Sequence, residues 1–146
     1  MITTWILVAN ASTARLYVNH GVKKGIQLVK ELSHPESREK GSNLVSDRPG
    51  HYVGAGNGHG SFVSANDPKQ NEAERFAQEL AREMEHGRTA NSYLRAILVA
   101  APAFMGLLKS NLSSQVCKLV SEKVEKDYTK ATEKELAGHL ENIIFL

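Results

Sequence analysis

Two uninterrupted apolar runs, Trp5–Ala9 and Ala96–Ala103, set the limits on what this chain can become. Trp-Ile-Leu-Val-Ala is aromatic and β-branched with no polar alternation. That is the pattern of a strand buried on both faces. Leu94–Ala101 reads the same way, and Pro102 closes it. Both runs fall far short of the ~20 apolar residues that a membrane span needs. The chain must therefore cover them with its own elements.

The other segments supply that cover. Ala14–Asn19 alternates, with Leu16 and Val18 on one face and Arg15 and Tyr17 on the other. His20–Gly25 has the glycines of a hairpin connection. The next run places Ile26, Leu28, Lys30 and Leu32 on one face, with Gln27, Val29 and Glu31 opposite. Asp67-Pro68 followed by Gln70 opens a helix. Its apolar face is Ala73, Phe76, Ala77, Leu80, Ala81 and Met84, with Gly87 or a point nearer Tyr93 as its end. A helix over about 103–111 follows the second buried strand. Ser113 caps a short helix carrying Val116, Leu119 and Val120. Val124, Lys126 and Tyr128 alternate as a short edge strand. Thr132 and Glu135 form a capping box before a helix lined by Leu136, Leu140, Ile143 and Ile144.

The order is β-β-β, then α-β-α-β-α. It predicts an α/β fold: a single domain over residues 1–146, with an antiparallel three-strand meander in a mixed sheet flanked by helices. A chain of 146 residues is one domain long, and 41% hydrophobic with 23% charged residues is a globular composition. Both numbers exclude a coiled coil or a disordered tail.

Residues 33–66 do not fit the alternation. They lack helical or strand pattern, and a loop that long in a compact domain usually carries function. Within it, Gly54–Gly60 reads Gly-Ala-Gly-Asn-Gly-His-Gly. Glycine amides can line an anion nest, but the spacing is neither a dinucleotide fingerprint nor a P-loop. Ser46-Asp47-Arg48-Pro49-Gly50 offers an arginine able to grip a carboxylate or phosphate, with Asp47 to orient it or cap a turn. Glu36, Glu39 and Asp47 balance Arg38, Lys40 and Arg48, so this is no basic patch. His51 and His59 have no cysteine or carboxylate partner at ligand spacing, so neither a metal nor a cofactor is expected. Net charge is +2 and pI about 8.7, without the clustered excess of strong nucleic-acid binders. Lys109, Lys118, Lys123, Lys126, Lys130 and Lys134 could meet RNA phosphates only if the fold gathers them on one side. Cys117, the one cysteine, sits in an apolar helical pattern and reads as a buried structural thiol. With no internal disulfide and no leader-like N-terminus, the expected address is cytoplasmic.

Several segments carry a resemblance. Trp5–Arg15, His34–Arg38, Leu44–Gly50, Glu74–Ala77 and Leu98–Gly106 resemble the bacterial host attachment protein family, with Ser-Asp-Arg-Pro-Gly the most specific. That family in turn resembles the middle domain of archaeo-eukaryotic release factors and Pelota, an RNase H-like fold. The resemblance implies that residues 33–66 stand where release factors carry the Gly-Gly-Gln loop that promotes peptidyl-tRNA hydrolysis. Here that segment holds Gly58–Ser61 and no glutamine. The implied function is therefore binding to the ribosome or tRNA without catalysis. The candidate contacts are Arg38, Asp47, Arg48, Gly56, Gly58, His59 and Gly60. One alternative is a protein-interaction module in attachment. The other is a hydrolase of peptidyl-tRNA or RNA using His59 or Asp47.

Overall fold

The computed structural model describes residues 2–34 and 68–143. They form strands β1 (Thr4–Ala9), β2 (Thr13–Asn19), β3 (Gln27–Ser33), β4 (Arg95–Ala100) and β5 (Val120–Val124). The helices are α1 (Pro68–Thr89), α2 (Pro102–Asn111), α3 (Ser114–Leu119) and α4 (Glu133–Leu140). The sheet is five-stranded and mixed, in the order β3-β2-β1-β4-β5. β1 pairs antiparallel with β2 and parallel with β4. The α/β fold read from the sequence is the fold observed.

The apolar strands β1 and β4 lie at the centre, and β1 is buried along its whole length. Alternate side chains feed two cores. Trp5, Leu7, Leu16, Val18 and Leu98 meet α1 and α2 through Phe76, Leu80, Met84, Phe104 and Leu108. Ile6, Val8, Tyr17, Ile97 and Val99 meet α4 through Leu136 and Leu140. All six apolar-face positions expected of α1 are buried. The expected cap Asp67 lies outside the described residues.

Four local expectations are corrected. Ile26 and Leu32 do not share a face: Ile26 joins the core under α4, and Leu32 packs on the core under α1. A β-bulge causes this. Leu16 is opposite Lys30 and Tyr17 is opposite Leu28, so Val29 is an extra residue that flips the alternation. Second, of the two ends read for α1, Gly87 is not the C′ residue: it lies inside the helix, which runs on towards Tyr93 as far as Thr89. The helix closes in a Schellman arrangement, with Ser92 N–H on Gly87 O and Asn91 N–H on Arg88 O. Asn91 takes the left-handed position at φ 57°. Third, the edge strand is Val120–Val124, pairing parallel with β4, and not Val124–Tyr128. Val120 therefore belongs to a strand, not to α3. Fourth, Cys117 is exposed. A helix as short as α3 fully buries Val116 and packs Leu119 at the core's margin, and Cys117 is one ~100° step round from Val116.

Two predicted caps are present. Ser113 Oγ accepts from Val116 N–H. Thr132 and Glu135 make the full capping box, each side chain accepting from the other's backbone N–H. Those hydrogen bonds from Thr132 hold the Glu135 carboxyl below its ordinary range.

Candidate functional site

The parallel strands β1 and β4 end on the same side of the sheet. In open α/β sheets that side is where ligands usually bind. Here the chain leaves β3 at His34 and returns as α1. The His34 backbone N–H donates to Ser12 O, 2.8 Å away in the β1–β2 turn. Its ring stacks on Phe76, with centroids 5.6 Å apart. Its Nε2 lies 2.7 Å from Glu72 Oε1. The other oxygen, Oε2, accepts from Arg75 Nη1 at 2.9 Å. The His34 and Glu72 side chains are only 17% and 13% exposed. Positions 72, 75 and 76 share one helix face by i, i+3, i+4 spacing, so a single turn of α1 supplies the carboxylate, its cation and the ring beneath His34.

This arrangement fastens the two ends of the intervening segment to each other. A histidine on a carboxylate can also be part of an acid–base pair. With its ring face on Phe76 and its main chain on Ser12, His34 is above all held in place.

A second polar network fills the same end. Asn10 Oδ1 accepts from Ser12 N–H and Thr13 N–H, at 2.8 and 2.9 Å. Asn10 Nδ2 donates to Thr129 Oγ1 at 3.0 Å, and Thr129 Oγ1 donates to Asp127 Oδ1 at 2.6 Å. Burial acts to raise the Asp127 carboxyl, but hydrogen bonds from Thr129 and Asn10 outweigh it and hold the group below its ordinary range. Arg15 Nη1 reaches Ala131 O at 3.2 Å. The β1–β2 turn is thus tied to the connection into α4, and the platform beneath the root is braced on both faces of the sheet.

Every residue singled out from the sequence as a contact, namely Arg38, Asp47, Arg48, Gly56, Gly58, His59 and Gly60, lies outside the described residues. His34, Glu72 and Arg75 were not foreseen. The helical spacing of 72, 75 and 76 was visible, but nothing local pairs them with a histidine 38 positions away. The six lysines are exposed and divided. Lys109 and Lys118 stand on helices over one face, and Lys134 on the helix over the other. They do not gather on one side. A shallow groove of about 330 Å³ runs between α1 and the α2–α3 junction, lined by Gln78, Ala81, Arg82, Glu85, Asn111 and Ser113. Glu85 is already engaged there by Arg88 and Ser113. Among the described residues no three metal-ligating side chains come together. Nor is any helix among them long and apolar enough to cross a membrane.

Residues 5–140 match the family described as "Protein required for attachment to host cells", and the chain belongs to that family. No curated protein matches it. Among solved structures it is similar to an archaeal translation termination factor, aRF1, with a TM-score of 0.50 at 10% identity. That alignment covers 96% of this chain and 38% of the factor. It is also similar to a chain of a PilM–PilN type IV pilus biogenesis complex, with a TM-score of 0.41 at 17% identity, covering 95% of this chain and 42% of that one. At such identity the likeness to the termination factor is one of fold. This chain spans well under half the length of either neighbour.

Proposed function

We propose that this member of the attachment family is a non-catalytic binding protein of the translation machinery. It presents residues 33–66 to a ribosome or tRNA from a fixed root. The observation that carries the reading is the His34–Glu72 fastening, at the carboxyl end of the parallel strands, in a fold shared with a translation termination factor. A segment whose two ends are pinned loses less conformational freedom on binding than one with free ends. Arg38 and Arg48 are the charged contacts, Asp47 orients Arg48, and amides of Gly56, Gly58 and Gly60 beside His59 meet phosphate oxygens. The absence of glutamine from the segment favours binding over hydrolysis.

The segment's charges balance, so few phosphates are neutralised and the salt dependence is shallow. About two phosphate contacts give a log–log slope near −1.4 to −1.8. The test is sedimentation of the protein with ribosomes at several salt concentrations. The protein co-migrates at low salt, and the Arg38→Ala/Arg48→Ala pair does not. Wild-type protein left in the low-salt supernatant sinks the proposal.

The family description favours a second reading, a protein-interaction module acting in attachment. Surface biotinylation of intact cells separates the two. Label on this protein places it where a host-facing partner can reach it, whereas ribosome association requires it inside.

A further inference from the structure

The end of the sheet opposite the root has a different character. Thr4 is opposite Asn19 on one side and Arg95 on the other. The segments leading into Thr4, out of Asn19 and into Arg95 therefore emerge from adjacent strands, ~4.8 Å apart at the sheet. Each carries an exposed aliphatic side chain: Ile2 at 51%, Val22 at 60% and Leu94 at 60% exposure. The other large exposed hydrophobics among the described residues, Leu28 and Val29, stand on the adjoining part of β3.

The hairpin bearing Val22 is built rather than loose. Buried Asn19 donates through Nδ2 to Gly21 O and Gly25 O, and accepts from Gly21 N–H. Lys23 is held in the left-handed region at φ 62°. The tip thus presents Val22, Lys23 and Lys24 in fixed order. Arg95 adds a third cation, its Nε donating to Thr4 Oγ1. Residues 2–4, 19–26 and 90–97 contain no Asp or Glu.

We propose that this end is a peripheral docking surface for an anionic lipid bilayer. Aliphatic side chains flanked by Lys23, Lys24 and Arg95, on segments without a carboxylate, complement a surface that is negative outside and apolar beneath. Glu85, whose charge reaches Tyr93 beside Leu94, is paired with Arg88. Lysine stems can lie along the apolar layer while their ammonium groups reach the headgroups. A second copy of this chain fits poorly, because two such ends would set lysine against lysine with nothing to pair them. A peptide fits less well than a bilayer, because the aliphatics stand on three separate strand ends and do not line a groove.

Full-length protein is floated with vesicles of phosphatidylcholine alone and with about one third phosphatidylglycerol. Binding occurs only with the anionic vesicles and weakens with salt. Each of Lys23→Gln and Lys24→Gln lowers partitioning about fivefold, the value of one surface cation. Val22→Ser/Leu94→Ser lowers it further while the urea midpoint moves little, since both side chains are already mostly in water. No binding to anionic vesicles at low salt overturns the proposal. So does binding that all three variants leave unchanged, which would locate the contact elsewhere. Equal binding to polyglutamate, indifferent to the serine pair, overturns the lipid assignment in favour of simple anion attraction.

Discussion

Trp5 occupies the space where a side chain at Gly87 would be. A Cβ there would overlap the indole ring and press on Tyr93. The indole in turn stacks on Tyr93 at 4.7 Å, and Tyr93 Oη donates to Met84 O at 2.7 Å. A glycine inside a helix costs about 1 kcal/mol against alanine. Gly87→Ala recovers that amount and forces an overpacked contact worth about 1–3 kcal/mol or more. Because the overlapped ring is itself packed, the second effect wins. Urea unfolding should show a net loss of up to about 2 kcal/mol. The same cluster makes a pH prediction. Burial first, then the nearby Glu85 charge, push the Tyr93 phenol up from 10 to about 12, with Arg88 opposing them. The folded protein therefore holds this proton more tightly than the unfolded chain. The stability involved is complete below pH 10 and is lost as pH rises through about 12. Ultraviolet titration should show one tyrosine ionising late, with stability falling over that window. Tyr93→Phe should remove the late ionisation and flatten the fall.

The strongest local signals in the sequence belonged to helix starts, because a cap is written within four residues. Thr132 and Glu135 are such a case. The helix they open has eight residues and, among the described residues, is the one helix packed on its sheet face, so its cap carries unusual weight. Thr132→Ala should cost about 1 kcal/mol in urea unfolding. Glu135→Ala should cost less, since it frees only the Thr132 N–H in solvent. Strands were less legible. β1 and β4 were clear because burial on both faces leaves one pattern. β3 was misread because its alternation depends on its partner: the bulge at Val29 exists only in the pairing with β2. β5 was placed late for the same reason. Its position is set by parallel pairing with Ala96–Val99, while the alternation in 124–128 ends in the turn around Asp127. A bulged residue that is half exposed and outside both cores is dispensable. Val29 is half exposed, and its deletion leaves Leu16 opposite Lys30 and Tyr17 opposite Leu28. The deletion should change stability by no more than about 1 kcal/mol, and circular dichroism should be unaltered. The bulge and the paired charges Lys30–Glu83 and Arg15–Glu31 also guard this edge against strand addition.

Across the whole molecule the two ends of the sheet divide the work. One end fastens the root of residues 33–66, and the other shows aliphatics and cations. The candidate site was only half legible for this reason. The sequence marks an unpatterned segment by its composition, but the residues that moor it are ordinary members of a strand end and a helix, joined only by folding. The mooring makes a prediction that separates support from contact. Glu72→Ala removes the acceptor shared by His34 and Arg75 and leaves a partly buried histidine without it. A hydrogen bond to a charged group is worth about 1.5–3 kcal/mol, so the urea midpoint should fall accordingly. Glu72→Gln keeps one oxygen to accept from His34 and should recover most of that stability. If the root positions the segment for binding, ribosome co-sedimentation should follow the mooring. It should drop about tenfold in Glu72→Ala and return to within a few-fold in Glu72→Gln, although neither variant alters a residue of the segment. Arg38→Ala/Arg48→Ala should show the converse, lost binding with the urea midpoint unmoved. Should Glu72→Ala bind ribosomes as well as the wild type despite its lowered midpoint, the fastening is a matter of stability alone and the contacts of the segment stand without it.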